Sequence, residues 1–168
     1  WELDHEDREL LGEQDMFSRS LFAIANEVMA WTRGGVTRDV RVLLANGEER
    51  LLGAHGEQIN LLDISSDARF VAAGGDRKLS LWDTQSGTHR ELKGHDVYLR
   101  GMRFVPGALI SVDYSGSIFR WNLETGDGER LVQGATRIAG FVGTVVDPEG
   151  KWAATTNLEQ TVTLHDLG

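Results

Sequence analysis

Five histidines stand in this chain: His5, His55, His89, His95 and His165. The chemistry open to them is that of a general base, a metal ligand or a buried hydrogen-bonding group. No two of them lie four residues apart, and no metal-ligand cluster of His and carboxylates at short spacing appears. His55 and Asp76 are the pair a hydrolase could use, but a triad also needs a nucleophile. The position nearest to supplying one is Gly74, which has no side chain. Cysteine is absent, so disulfides, thiolate catalysis and cysteine-ligated zinc are excluded. Gly126-Asp127-Gly128 lacks the third glycine of a dinucleotide-binding loop and reads as a turn. Asp147-Pro148-Glu149-Gly150 and Ser66-Asp67-Ala68-Arg69 read as hairpin turns, not as paired catalytic carboxylates. No catalytic residue, metal site or cofactor is assigned.

Short apolar runs must position these groups. After Gly53-Ala54-His55 comes an apolar run, Ile59 to Ile64, then a turn over Ser65 to Arg69. A second run, Phe70 to Ala73, meets the turn Gly74-Gly75-Asp76. A third, Lys78 to Asp83, alternates, with Leu79, Leu81 and Asp83 on one side and Lys78, Ser80 and Trp82 on the other. The turn Thr84 to Gly87 leads to a fourth run, His89 to Leu92. At Lys93-Gly94-His95 the pattern begins again.

The spacing repeats along the whole chain. Positions 1, 42, 82, 121 and 165 are equivalent, occupied by Trp1, Val42, Trp82, Trp121 and His165. A glycine-histidine opening and a tryptophan-aspartate close, at roughly 40–45 residues per unit, resemble the WD40 repeat, one blade of a β-propeller. The resemblance implies an all-β fold, a partial ring of four-stranded antiparallel blades. Residues 1–15 are expected to be the outer strand of a blade shared with the C-terminus. Residues 16–53, 54–93 and 94–133 are expected to be blades, and 134–168 three strands of a last one. The blade over 16–53 lacks the Gly-His and the Trp but keeps turns at Gly34-Gly35 and Asn46-Gly47, the latter a strong hairpin signal. Second strands rich in small residues, such as Ala72 to Gly75, are expected where blades crowd the axis.

The resemblance also implies site residues. WD40 blades join a histidine, a strand-two hydroxyl, an aspartate and the strand-three tryptophan in a hydrogen-bonded tetrad. His55, Asp76 and Trp82 match in one blade, with Gly74 at the hydroxyl position. His95 and Trp121 match in the next, with Asp113 at the hydroxyl position and Ser115 at that of the aspartate. The blades around Val42 and His165 keep only Glu159. These groups are expected to be structural. Family members bind proteins and peptides on the narrow face formed by loops and by residues leading into the first strand. Gln58, Asn60, Tyr98 and Arg100 match those positions, with Tyr114 one residue before the Ser115 turn position. Tyr98 and Tyr114 are read either as partner contacts, since tyrosine and arginine carry interface energy, or as caps on neighbouring blades.

The totals bound the rest. The 168 residues carry a formal charge of −9, the wrong sign for tracking phosphates, so no nucleic acid is expected. Residues 1–15 hold seven acids against one base; they read as a solvated outer strand whose charge discourages edge pairing, in preference to a dock for a basic partner. No apolar run approaches the ~20 residues of a membrane span, and the expected compartment is the cytoplasm. The expected function is a non-catalytic protein-protein interaction module, with a protein or peptide partner. A sensor segment of a signalling or defence enzyme, or a propeller enzyme with a central-channel site, is the alternative. Four blades leave an open arc, so the chain is expected to meet the rest of a longer propeller or a second copy of itself, and the mid-blade start favours the former.

Overall fold

The computed structural model describes residues 21–32, 38–134, 143–157 and 160–168, and every regular element among them is a β-strand. Strands β1 (Phe22–Ala25), β2 (Val28–Thr32), β3 (Asp39–Leu43) and β4 (Glu49–Ala54) form the first sheet. The second consists of β5 (Ile59–Ile64), β6 (Phe70–Gly75), β7 (Leu79–Asp83) and β8 (His89–Leu92). The third holds β9 (Leu99–Val105), β10 (Ala108–Asp113), β11 (Ile118–Asn122) and β12 (Gly128–Val132). Three strands, β13 (Gly143–Val146), β14 (Trp152–Thr156) and β15 (Val162–Asp166), make the fourth. Each sheet is an antiparallel meander in chain order. No helix among the described residues is long and apolar enough to cross a membrane. Residues 1–15, the Gly34-Gly35 turn and Glu159 lie outside the described residues.

Side-chain alternation turns each blade into a two-sided wedge, and three apolar seams join the blades in sequence. Val28, Ala30, Val40 and Val42 of the first blade meet Val71, Ala73 and Trp82 of the second. From the other side of the second blade, Phe70, Ala72, Leu79 and Leu81 meet Phe104, Leu109 and Trp121 of the third. Ile110, Val112 and Ile118 then meet Val146 and Ala153 of the fourth. In these seams Leu79 and Leu81 lie opposite to Trp82, as the alternation in β7 requires.

Two expectations are corrected here. Val42 is not the equivalent of Trp82; Leu43 is. The amide of Leu44 bonds the carbonyl of Glu48, whereas that of Asp83 bonds Thr88 and that of Asn122 bonds Asp127. The first blade's turn is therefore one residue shorter, which shifts the count by one. The small residues of β6 also serve a different end. Close approach between blades occurs at the first strands, where a Cβ on Gly101 of β9 would lie 2.9 Å from Cβ of Thr144 in β13. Strand β6 is instead buried along its whole length between β5 and β7, with Ala72 in one seam and Ala73 in the other.

Candidate functional site

The third blade holds a complete buried polar chain. Trp121 Nε1 donates to Ser111 Oγ at 2.7 Å, Ser111 Oγ lies 2.6 Å from His95 Nε2, and His95 Nδ1 lies 2.8 Å from Asp113 Oδ2. An ionised carboxylate only accepts, so Nδ1 carries the proton and Nε2 accepts from the serine hydroxyl. Burial opposes charge on Asp113, but the hydrogen bonds from His95 and Ser115 outweigh it and hold the carboxyl below its usual range. Its other oxygen accepts from the Ser115 and Ser117 amides at 2.9 and 3.1 Å, so one carboxylate orients the imidazole and shapes the β10–β11 turn. The Trp121 N–H, the Ser111 hydroxyl and both His95 ring nitrogens are each bonded to another member of this chain. Such a network fixes geometry and leaves no free nucleophile.

Sequence spacing put the hydroxyl on Asp113 and the acid on Ser115, two residues late. Strand pairing sets the register: Trp121 lies opposite Leu109 and Trp82 opposite Val71. Ser111 and Asp113 thus correspond to Ala73 and Gly75, not to Gly74 and Asp76. The β10–β11 turn has one residue more than the β6–β7 turn, and counting back from tryptophan cannot see it.

That register explains the second blade. Its hydroxyl and acid are both missing, and no hydrogen bond or ion pair joins Asp76 to His55 or Trp82. His55, 3% exposed, instead lies 3.0 Å from Ser80 Oγ through Nδ1, while Nε2 has no partner. A Cβ on Gly75 would stand 3.1 Å from that nitrogen. Burial pushes the His55 pKa down to about 4, so the ring is neutral at physiological pH. Trp82 is buried and stacks on His89 at 4.9 Å. The fourth blade keeps more than expected: Thr155 Oγ1, equivalent to Ser111, lies 3.0 Å from Nε2 of His165.

The candidate partner residues surround the approaches to β5 and β9. Gln58, Asn60, Tyr98 and Arg100 are exposed, Tyr98 by 55%. Asn60 and Arg100 occupy the same structural position. Each is the unpaired residue of a bulge, Asn60 between Ile59 and Leu61, Arg100 between Leu99 and Gly101. A bulge re-aims its side chain away from the regular pleat. The Arg100 guanidinium lies 4.8 Å over the Tyr114 ring, and the Tyr114 amide donates to the Tyr98 carbonyl at 2.7 Å. These contacts draw Tyr98, Arg100 and Tyr114 into one patch, which Gln58 and Asn60 join through no hydrogen bond or ring contact.

Other polar links tie blades together, and sequence gave no sign of them. The Asp63 carboxylate accepts from the Phe104 amide of the next blade at 2.9 Å, and burial raises its pKa. Arg69 bonds both Asp83 of its own blade and Glu124 of the next. Among the described residues no three His, Asp or Glu side chains converge on a metal position.

Comparison with known proteins agrees with this architecture. The family model described as "WD domain, G-beta repeat" matches residues 48–83. Nuclear distribution protein nudF of Aspergillus niger is 36% identical over 84 residues, 48% of this chain and 18% of that one. Nuclear distribution protein PAC1 of Gibberella zeae is 37% identical over 75 residues, covering 42% and 16%. The matches to these curated relatives thus span less than a fifth of their length. Among solved structures, a chain in the crystal structure of the mitotic checkpoint complex aligns with a TM-score of 0.66 at 21% identity, covering 88% of this chain and 46% of that one. At that identity the likeness is one of fold.

Proposed function

We propose that this chain, a WD40-type β-propeller by its repeats and fold, serves as a protein-interaction scaffold with no catalysis of its own. The carrying observation is a division of labour among polar side chains. The groups that could do chemistry, His95, Asp113 and Ser111, are buried and bonded to one another. The groups suited to an interface, Tyr98, Arg100 and Tyr114, share one patch at the approach to β9. Aromatic and arginine side chains contribute most where a partner desolvates them. In this reading the patch, with Gln58 and Asn60 alongside, takes a protein or peptide segment, and the ends of the arc meet further blades or a second copy. Affinity capture with quantitative mass spectrometry tests it. Proteins held by the wild type should be lost with Tyr98→Ala and Arg100→Glu and kept with Arg103→Glu, which changes an exposed side chain further along β9. Equal capture by all four proteins would refute the assignment of the patch.

A further inference from the structure

Five asparagines stand in the chain, and only Asn46 is followed by glycine. An asparagine carries an electrophile, its side-chain amide carbon, within reach of the next residue's backbone nitrogen. Attack by that nitrogen closes a five-membered imide and expels ammonia. Because the ring closure is intramolecular, its rate depends on how the turn holds the two groups and what surrounds them.

The β3–β4 turn sets up both groups. Ala45, Asn46, Gly47 and Glu48 are all exposed. The Glu48 amide donates to Asn46 Oδ1 at 3.0 Å. Negative charge develops on that oxygen as a nucleophile adds to the amide carbon, and an N–H already aimed at it favours the addition. The nucleophile is unhindered, since Gly47 has no side chain and even a Cβ there would meet nothing within 4 Å. The Gly47 N–H donates to the Leu44 carbonyl at 2.9 Å. That bond must open before the nitrogen can lose its proton, and it paces the reaction.

Asn122 supplies a comparison within the same chain. Its Oδ1 accepts the amides of Glu124 and Thr125 at 2.9 and 3.0 Å, so its carbonyl is polarised in the same way. The residue that follows is Leu123, 8% exposed and packed in the seam between the second and third blades. A branched, anchored side chain beside the attacking nitrogen crowds ring closure and keeps the turn from opening. The two turns share the electrophile's setting and differ in the nucleophile.

We infer that Asn46 is a site of spontaneous covalent modification, converted from amide to acid through the backbone of Gly47. The Gly47 nitrogen gives up its proton and bonds to Asn46 Cγ. The side-chain nitrogen leaves with that proton as ammonia, and the cyclic imide remains. Water then adds at either imide carbonyl and breaks one C–N bond. The product is an aspartyl residue, or an isoaspartyl residue whose main chain runs through the former side chain. Either one sets a carboxylate where Asn46 Nδ2 now lies 3.5 Å from Glu48 Oε2, a like charge in place of a donor. Glu48 in turn holds Arg50, whose Nη1 lies 3.5 Å from the Thr84 carbonyl of the next blade. The isoaspartyl form also adds a main-chain atom to a turn already one residue shorter than those of the second and third blades. No partner is needed, so the inference is independent of the function proposed above.

Incubation of the full chain at mildly alkaline pH, followed by peptide mapping with mass spectrometry, tests this. Asn46 should convert with release of one ammonia per chain and give two isomeric peptides, aspartyl and isoaspartyl, while Asn122 stays intact. Isoelectric focusing of the intact chain should show a shift of one negative charge. Gly47→Ala should slow the conversion several-fold. An aspartyl product alone would mark direct hydrolysis by water and overturn the inference, as would equal conversion of Asn122. Should Gly47→Ala fail to fold, the wild type unfolded in urea gives a second measurement. A folded chain that keeps Asn46 intact over the time in which the unfolded chain converts it would show that the Leu44 bond locks the turn, and would likewise overturn the inference; conversion in both upholds it.

Discussion

At the scale of single residues, the second and third blades form a natural contrast. Ser111 accepts from Trp121 and donates to His95, so Ser111→Ala leaves two buried groups unpaired. We expect a loss of about 1–3 kcal/mol by urea denaturation. Ala73 holds the same position beside His55, whose Nε2 lacks a partner. Ala73→Ser should therefore shift stability the other way, by about 1 kcal/mol. A loss in both would mean that the register relating these positions is wrong. Acid should also single out His55. Its pKa in the fold is depressed from 6.5 to about 4, so as pH falls through that window the unfolded chain takes up a proton that the folded chain refuses. Stability should decline from about pH 6.5 to about pH 4, with His165, depressed in the same direction by burial, adding to it. His55→Gln should flatten part of that decline when denaturation is followed across the window; an unchanged slope would place the titration elsewhere.

At the scale of elements, the legible part of the sequence was the part written in repeating side chains. Alternation in Lys78 to Asp83 placed Leu79, Leu81 and Trp82 on their proper sides, and Asn46-Gly47 marked the β3–β4 turn. Features that depend on one inserted or missing residue were not legible. The extra residue in the β10–β11 turn displaced the tetrad assignment, and the short β3–β4 turn put Val42 where Leu43 belongs. Nor could alternation show the bulges that aim Asn60 and Arg100, since a bulge is a property of pairing between two strands. Two glycines separate local from tertiary demands at this scale. Gly47 has φ +82° with open space around it, so Gly47→Ala should cost only backbone strain, about 1–2 kcal/mol. Gly128 has an ordinary backbone, but a Cβ there would intrude on the Trp121 ring. Gly128→Ala should cost about 1–3 kcal/mol and change near-UV circular dichroism from the displaced indole, which Gly47→Ala should leave alone.

For the whole molecule, the arrangement of seams matters more than their sum. Each blade has an apolar seam only with its immediate neighbours among the described residues, so stability is passed along the arc as a series of nearest-neighbour couplings. The second and third blades are clamped on both sides, while the first and fourth are held on one. Hydrogen exchange should rank amides accordingly, slowest in β6, β7, β10 and β11 and fastest in β1 and β15. Uniform protection across all four blades in an isolated monomer would contradict that ranking. The Asp63 carboxylate gives the middle seam a further property. By holding the Phe104 amide it fixes how far the second and third blades can slide past each other, as a detent fixes the angle between two leaves of a folding screen. With the Arg69–Glu124 pair and the apolar seam, this carboxylate holds the curvature of the arc at its centre, and Asp63→Leu should leave a folded chain whose two halves keep a looser angle.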